Sequence, residues 1–223
     1  MNAIRLTALA LIALLAGCGV QPQPPAIEPG PLLSWQERSQ QLMPLSRWTV
    51  LGKVSIRNGD RRDSASLNWS QNLDHYRIFM AGPLGQGAVN IEGSERLGIT
   101  LEVSGEGRYH ADSPEQLLQQ RLGWSVPVSQ MPYWIRGLPA PEQTHIKVLD
   151  DRNRLERLLQ GGWDIRYLGY QHQQQTNPST SDPFDQTGLL LPRKIELRRG
   201  NDLRLLMVFK QWQLEPTLNA ENS

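Results

Sequence analysis

A single cysteine, Cys18, stands in a chain of 223 residues. Its isolation excludes an internal disulfide and any cysteine-built zinc site, so the fold has to be held by packing. Phenylalanine is scarce as well, three against seven tryptophans. Tryptophan is costly to bury unless its indole N–H finds a partner or its ring walls an amphipathic pocket. Charge of one sign is missing: 23 basic and 22 acidic residues leave a formal +1. That balance points to no nucleic-acid surface and to no electrostatic adhesion to anionic lipid. Catalytic signatures are missing too, with no G-x-S-x-G elbow, no H-E-x-x-H, no P-loop and no complete G-x-G-x-x-G. Gly85-Gln86-Gly87 reads as turn flexibility rather than a phosphate cradle. His75, His110, His145 and His172 lie far apart without ligand spacing and read as surface or strand residues, so no metal site is expected. Asp150-Asp151, beside Asn153, reads as side-chain capping of a turn.

Long apolar runs are absent with one exception, residues 6–15, and that stretch is too short to span a bilayer. It follows Arg5 and ends at Leu15-Ala16-Gly17-Cys18, the basic and apolar regions and small-residue cleavage site of an export signal. Ending on the only cysteine, the site resembles a bacterial lipobox, in which the thiol takes a diacylglyceryl group and the freed amine a third acyl chain. Residues 1–17 are then a signal peptide that is removed, and Cys18 is the lipidated anchor. At about 0.8 kcal/mol per buried methylene, two or more chains hold a protein on a membrane where one does not. Gly19 stands where an Asp is the usual inner-membrane retention signal, which places the chain at the outer membrane, facing the periplasm. The alternative is an ordinary secretory signal with a spectator cysteine.

Residues 18–33, rich in Pro, Gln and Gly, read as an extended flexible tether. Ser34 and Glu37 have capping-box spacing for a short helix over 35–43, closed by Pro44. From Trp48 the period becomes two: Trp48, Val50, Val54 and Ile56 alternate with polar or small positions, and Asn58-Gly59 signals a hairpin. Similar sets recur at 65–69, 76–80, 89–91, 97–103, 146–148, 155–159, 163–167, 195–197 and 203–212, giving about eleven strands. Ser113-Pro114-Glu115-Gln116 opens a second helix with Leu117, Leu118 and Leu122 on one stripe, and a third short helix is expected over 129–136 despite Pro132. Residues 171–188 form a polar excursion and 215–223 a frayed tail. So many strands with three short helices exclude a βαβ sheet. The expectation is a mainly β domain over 34–214, an incomplete antiparallel barrel lidded by the helices around an apolar cavity.

One loop resists a purely structural reading. In Met80-Ala81-Gly82-Pro83-Leu84-Gly85 an apolar side chain stands between Pro and Gly at a strand connection, where a polar residue is cheaper. Exposed, Leu84 forgoes about 1.5–3 kcal/mol of burial, which suggests insertion into something apolar; folded back, it plugs a barrel end.

The lipobox, Tyr76-Arg77-Ile78 running into Gly82-Pro83-Leu84-Gly85, Trp134-Ile135-Arg136-Gly137-Leu138-Pro139, the Gly162-Trp163-x-Ile165-x-Tyr167 strand, Leu191-Pro192 and the closing Trp212 together resemble the LolB family, the outer-membrane lipoprotein receptors of Gram-negative bacteria. The match runs through nearly the whole mature chain, except the insert around 173–187. The resemblance implies a monomeric, non-enzymatic receptor that takes triacylated lipoproteins from the soluble periplasmic carrier LolA and releases them into outer-membrane phospholipid. It also implies an eleven-stranded incomplete barrel with three helices, with acyl chains inside and no cofactor. Leu84, flanked by Pro83 and Gly85, then occupies the position that serves delivery into the membrane. Trp69, Ile78, Ile99, Leu101, Trp134, Trp163 and Trp212 are the expected cavity lining. Two rival readings are an anchored cell-wall hydrolase with an Asp/Glu acid–base pair and a scaffold lipoprotein with a filled barrel.

Overall fold

In the computed structural model, which describes residues 32–94, 98–123, 125–173 and 189–215, eleven strands join in one sheet. Five hairpin-connected strands follow β1 (Arg47–Asn58): β2 (Arg61–Asn72), β3 (His75–Ala81), β4 (Val89–Ser94), β5 (Gly98–Val103) and β6 (Gly107–Ala111). Five more follow later, β7 (His145–Leu149), β8 (Leu155–Gln160), β9 (Trp163–Gln173), β10 (Leu189–Arg199) and β11 (Leu203–Leu214). The spatial order is β6-β5-β4-β3-β2-β1-β11-β10-β9-β8-β7, so two meanders are fused where β1 pairs antiparallel with β11. The edges β6 and β7 are not paired with each other, which leaves the barrel incomplete.

The chain that leaves one edge at β6 and re-enters at the other edge, β7, carries two of the three helices. These are α2 (Pro114–Leu122), which packs on β5 and β6, and α3 (Met131–Arg136), which packs on β10. Helix α1 (Trp35–Leu42) precedes the sheet. Each begins where its sequence dictates. At α1 the Ser34 hydroxyl accepts the Glu37 N–H at 3.2 Å while the Glu37 carboxylate accepts the Ser34 N–H at 2.7 Å, a complete capping box. At α2 Ser113 accepts the Gln116 N–H, Pro114 fills the first turn and Gly123 closes the helix at φ 74°. Pro132 does not break α3, because the helix starts at Met131 and the proline falls in its first turn, where no intrahelical N–H is needed. Among the described residues no helix is long and apolar enough to cross a membrane.

The inward faces of β1 to β5 and β8 to β11, together with Leu117, Leu118, Met131, Trp134 and Ile135 of the helices, form one apolar core. One face of so many strands can share a core with the helices between its edges only if the sheet wraps around them. Strict alternation breaks at bulges. Gln211 pairs with Leu51 but Phe209 with Gly52, so Lys210 drops out of register and both Phe209 and Trp212 face inward. Gly52 is required there, since a Cβ would stand 2.3 Å from the Val208 carbonyl oxygen. In β10, shifts around Pro192 and Lys194 likewise keep Leu191 and Ile195 on the core side. β9 extends to Gln173, so the polar excursion expected from 171 begins later than the composition suggests. Its residues 174–188, the signal, Cys18, the tether through residue 31, Trp124 and the tail from 216 lie outside the described residues.

Candidate functional site

Between the inner face of the sheet and the helices lies a hollow of about 40 Å³ with no polar surface on its walls. Strands β1 to β4 and β11 supply one side through Val54, Leu67, Trp69, Ile78, Ile91 and Met207, while Leu118, Val126, Val128 and Met131 close the other. Trp69 and Ile78, both expected as lining, stand on these walls. Ile99, Leu101, Trp134, Trp163 and Trp212 are buried but lie outside the hollow's walls. For Trp134 the reason is a partner: its indole N–H donates to Gln160 Oε1 at 2.9 Å, and Gln160 in turn clamps the Ala140 N–H and carbonyl at 2.9 and 2.7 Å. With the tilted ring of Trp163 centred 6.2 Å away, this half of the interior is filled. Ile99 and Leu101 sit on β5, which α2 covers.

The hollow adjoins a space at each end. Val128 belongs both to its wall and to a groove of about 650 Å³ that also meets Trp48, Gln71, Tyr76 and Tyr133 beside the β2–β3 turn. Ile56 and Met80 belong both to its wall and to a cleft of about 330 Å³ beside Gly82, Gln86 and Gly87 at the opposite end of those strands. This second cleft runs beneath the connection that carries Leu84.

That connection is a tight, closed loop. The Gly82 N–H donates to the Gln86 carbonyl at 2.9 Å, the Gly85 N–H to Gly82 at 3.1 Å, and Pro83 to Gly85 form one 3₁₀ turn. Gly82 cannot be replaced, since a Cβ would stand 2.8 Å from the Gln86 oxygen. Leu84 is 98% exposed and has φ 57° and ψ 23°, the left-handed region. A leucine there strains the backbone by roughly 1–2 kcal/mol and gains no burial in return. The folded-back plug expected as an alternative is excluded by that exposure. Leu73, in the β2–β3 turn at the groove end, shares the left-handed state at φ 57°.

The groove end is held by Arg136, which sequence reading noted only as a letter in a motif. The residue is 5% exposed and its guanidinium meets carbonyls: Nη1 donates to Leu42 at 3.1 Å, Met43 at 3.4 Å and Leu45 at 2.5 Å, and Nε donates to Pro132 at 2.8 Å. A cation on the last carbonyls of α1 complements the helix dipole. Burial pushes its pKa down to about 10, with the Tyr133 ring side opposing the fall. Trp48 was also missed as a site residue, although it heads the alternating set of β1. Its ring lies 5.5 Å from Trp69 and 5.3 Å from Trp212. Tyr167, buried, donates to the Trp134 carbonyl at 3.0 Å, and burial raises its pKa well above the usual tyrosine value.

The titratable groups read as structural behave so. Asp150 accepts the Arg152 and Arg154 N–H groups at 3.0 and 2.9 Å and pairs with the Arg154 side chain. The four histidines are exposed. Among the described residues no three His, Cys, Asp or Glu side chains cluster as metal ligands.

A family model described as outer membrane lipoprotein LolB matches residues 46–212. The outer-membrane lipoprotein LolB of Pseudomonas syringae is 41% identical over 204 residues, 91% of this chain and 92% of that protein. The one from Stutzerimonas stutzeri is 38% identical over 209 residues, covering 93% and 94%. Among solved structures, a LolA-superfamily protein from Nitrosomonas europaea aligns over 83% of this chain and 95% of its own with a TM-score of 0.50 at 10% identity. A DUF1329-family protein from Desulfovibrio piger aligns over 85% and 92% with a TM-score of 0.51 at 7% identity. At those identities the likeness shows a shared fold.

Proposed function

The chain belongs to the LolB family of outer-membrane lipoproteins, and on that premise we propose that it receives acylated lipoproteins from a periplasmic carrier of the LolA type and inserts them into the inner leaflet of the outer membrane. Residues 1–17 are removed as the signal, Cys18 carries the lipid anchor, and residues 18–33 tether the domain, which works as a monomer. The acyl chains enter the hollow between sheet and helices. The observation that carries this reading is a wall without polar surface that leads into the cleft beneath a fully exposed leucine.

The hollow as it stands is far smaller than an acyl chain, which reaches about half of the ~30 Å hydrocarbon thickness. Loading therefore separates the sheet from Leu118, Val126, Val128 and Met131, and the apolar surface this uncovers is covered again by the chains. An empty receptor stays closed because opening it to water alone exposes that surface at about 25 cal/mol per Å². No cofactor and no bond-making step is involved. A hydrolytic acid–base pair has no footing on walls of Val, Ile, Leu, Met and Trp. Leu84, held out by Pro83 and Gly85, enters the phospholipid and opens a path for the cargo.

The test is transfer. Radiolabelled lipoprotein on its carrier is mixed with the protein and then with liposomes. The wild type takes the label and passes it on. Leu84→Glu takes the label and keeps it, because an ionised carboxylate resists leaving water. Normal delivery by Leu84→Glu would sink the role of the loop, and label that never leaves the carrier for the wild type would sink the receptor itself.

A further inference from the structure

Three indole N–H groups in the core, those of Trp48, Trp69 and Trp212, meet no acceptor among the described residues. Their rings form one contiguous group in which Trp48 touches both of the others. All three are more than nine-tenths buried. Gln71, the cross-strand partner of Trp48 on the same face, adds an orphan acceptor: its Nε2 donates to the Leu73 carbonyl at 2.7 Å, while its buried Oε1 has no donor.

Buried polar atoms are nearly always bonded, because an unmade bond forfeits the full cost of leaving water. Trp134, in the filled half of the same interior, obeys that rule through Gln160. Phenylalanine fills comparable space without the penalty, so packing alone does not call for three unbonded indoles side by side. Three of these four orphans also have a place in common, while Trp212 touches Trp48 without lining either space. Trp69 stands on the wall of the hollow, and Trp48 and Gln71 stand on the wall of the groove that adjoins it. They therefore mark the boundary between an apolar chamber and a polar opening.

We infer that this cluster binds the carbonyl groups that join the acyl chains to the terminal cysteine of a cargo lipoprotein, an assignment that rests on the hollow being the acyl chamber. The chemistry matches on both sides. A triacylated cysteine has two ester carbonyls and one amide carbonyl at the head of its chains, all acceptors. Its amide also has an N–H, for which the Gln71 Oε1 is the complement. Trp48 and Gln71, opposite each other with Cβ atoms about 5 Å apart, present a donor and an acceptor as an amide does. With the carbonyls there, the chains run past Trp69 into the hollow, and the cysteine and the following peptide leave through the groove. The same contacts set the depth to which a cargo is drawn in, and they recognise a linkage that every acylated lipoprotein shares rather than any protein sequence.

The experiment compares two synthetic lipopeptides with identical C16 chains on a thioglyceryl cysteine, one with ester linkages and one with ether linkages that lack the carbonyls. Affinity for the full-length protein is measured in an alkyl maltoside, whose head group has no carbonyl. The ester lipopeptide is expected to bind about tenfold more tightly per engaged donor. It is also expected to shift the ¹⁵N–H resonances of the Trp48 and Trp69 indoles, which the ether leaves in place. Trp48→Phe and Trp69→Phe, which keep a flat ring, each narrow the ester-to-ether ratio by lowering ester affinity alone. Equal affinity of the wild type for both lipopeptides, or a ratio unmoved in both variants, overturns the inference while leaving the chamber intact. Failure of the wild type to bind either lipopeptide overturns the chamber reading itself.

Discussion

Replacing Leu84 with glycine should separate stability from delivery in a way that no buried residue allows. The leucine holds a left-handed backbone, at φ 57°, that costs roughly 1–2 kcal/mol for a residue with a Cβ and almost nothing for glycine. Glycine in turn loses roughly 0.5–1 kcal/mol more backbone entropy on folding. No burial is lost, because the side chain is 98% exposed. The balance is a change between about zero and +1.5 kcal/mol. For a domain of this size that is a melting temperature unchanged or raised by up to about 6 °C. Delivery should move the other way. A leucine side chain transferred into hydrocarbon is worth about 1.5–3 kcal/mol, so its loss weakens loop insertion about ten- to hundredfold. Thermal unfolding followed by circular dichroism, beside the rate of label transfer into liposomes, measures both quantities on one preparation. A fall of 5 °C or more would refute the reasoning, because only a leucine packed in the folded state destabilises on that scale when truncated. Undiminished transfer would refute it from the other side.

Arg136→Met should lower stability by about 2–4 kcal/mol, read as a melting point about 5–15 °C lower: four carbonyls lose a charged donor, set against the cost of burying that charge. Arg136→Lys should recover little of this, since one ammonium cannot reproduce the fork. Asp164, whose carboxyl is held below its usual value first by its bond to Arg157, contributes stability that is present above about pH 4 and lost as pH falls through its lowered folded value. Asp164→Asn should therefore flatten that acid limb of a stability-against-pH curve, by less than about 1 kcal/mol because the pair is partly exposed. Cys18→Ala should leave the protein unacylated and absent from salt-washed outer membranes on fractionation, while it still folds and takes label from the carrier.

What the sequence conveyed well is what local periodicity encodes. Ten of the eleven strands and the three helices were legible because alternation, capping boxes and turn glycines are short-range signals, whereas the edge strand β6 (Gly107–Ala111) matched none of the alternating runs. The likeness of Leu84 to an exposed wedge could be read from an apolar residue wedged between proline and glycine. Register was less legible. Phe209 and Trp212 share a face only because Lys210 bulges out, and nothing in an alternating string announces where a strand skips a residue. Sorting the tryptophans needed partners that lie far off in the chain: Trp134 is satisfied by Gln160, 26 residues away, whereas Trp48, passed over in the sequence, is left with an unused donor. Arg136 was opaque for a related reason, since its partners are backbone carbonyls, which leave no mark in a sequence.

Elsewhere Arg38 Nε and Gln130 Oε1 also lack partners among the described residues, but the largest groups of departures from local rules stand at the hollow. A strained, exposed leucine sits at one end of the hollow, and unbonded indoles beside an unbonded amide oxygen sit toward the other, while Trp134, Gln160 and Tyr167 in the filled half bond their polar atoms. Each departure lowers stability and could be removed by a commoner residue: glycine or asparagine at the turn, phenylalanine in the cluster. A fold selected for stability alone has no reason to keep both, and a chamber that must hold an acyl linkage at one end and meet a bilayer at the other has a use for each.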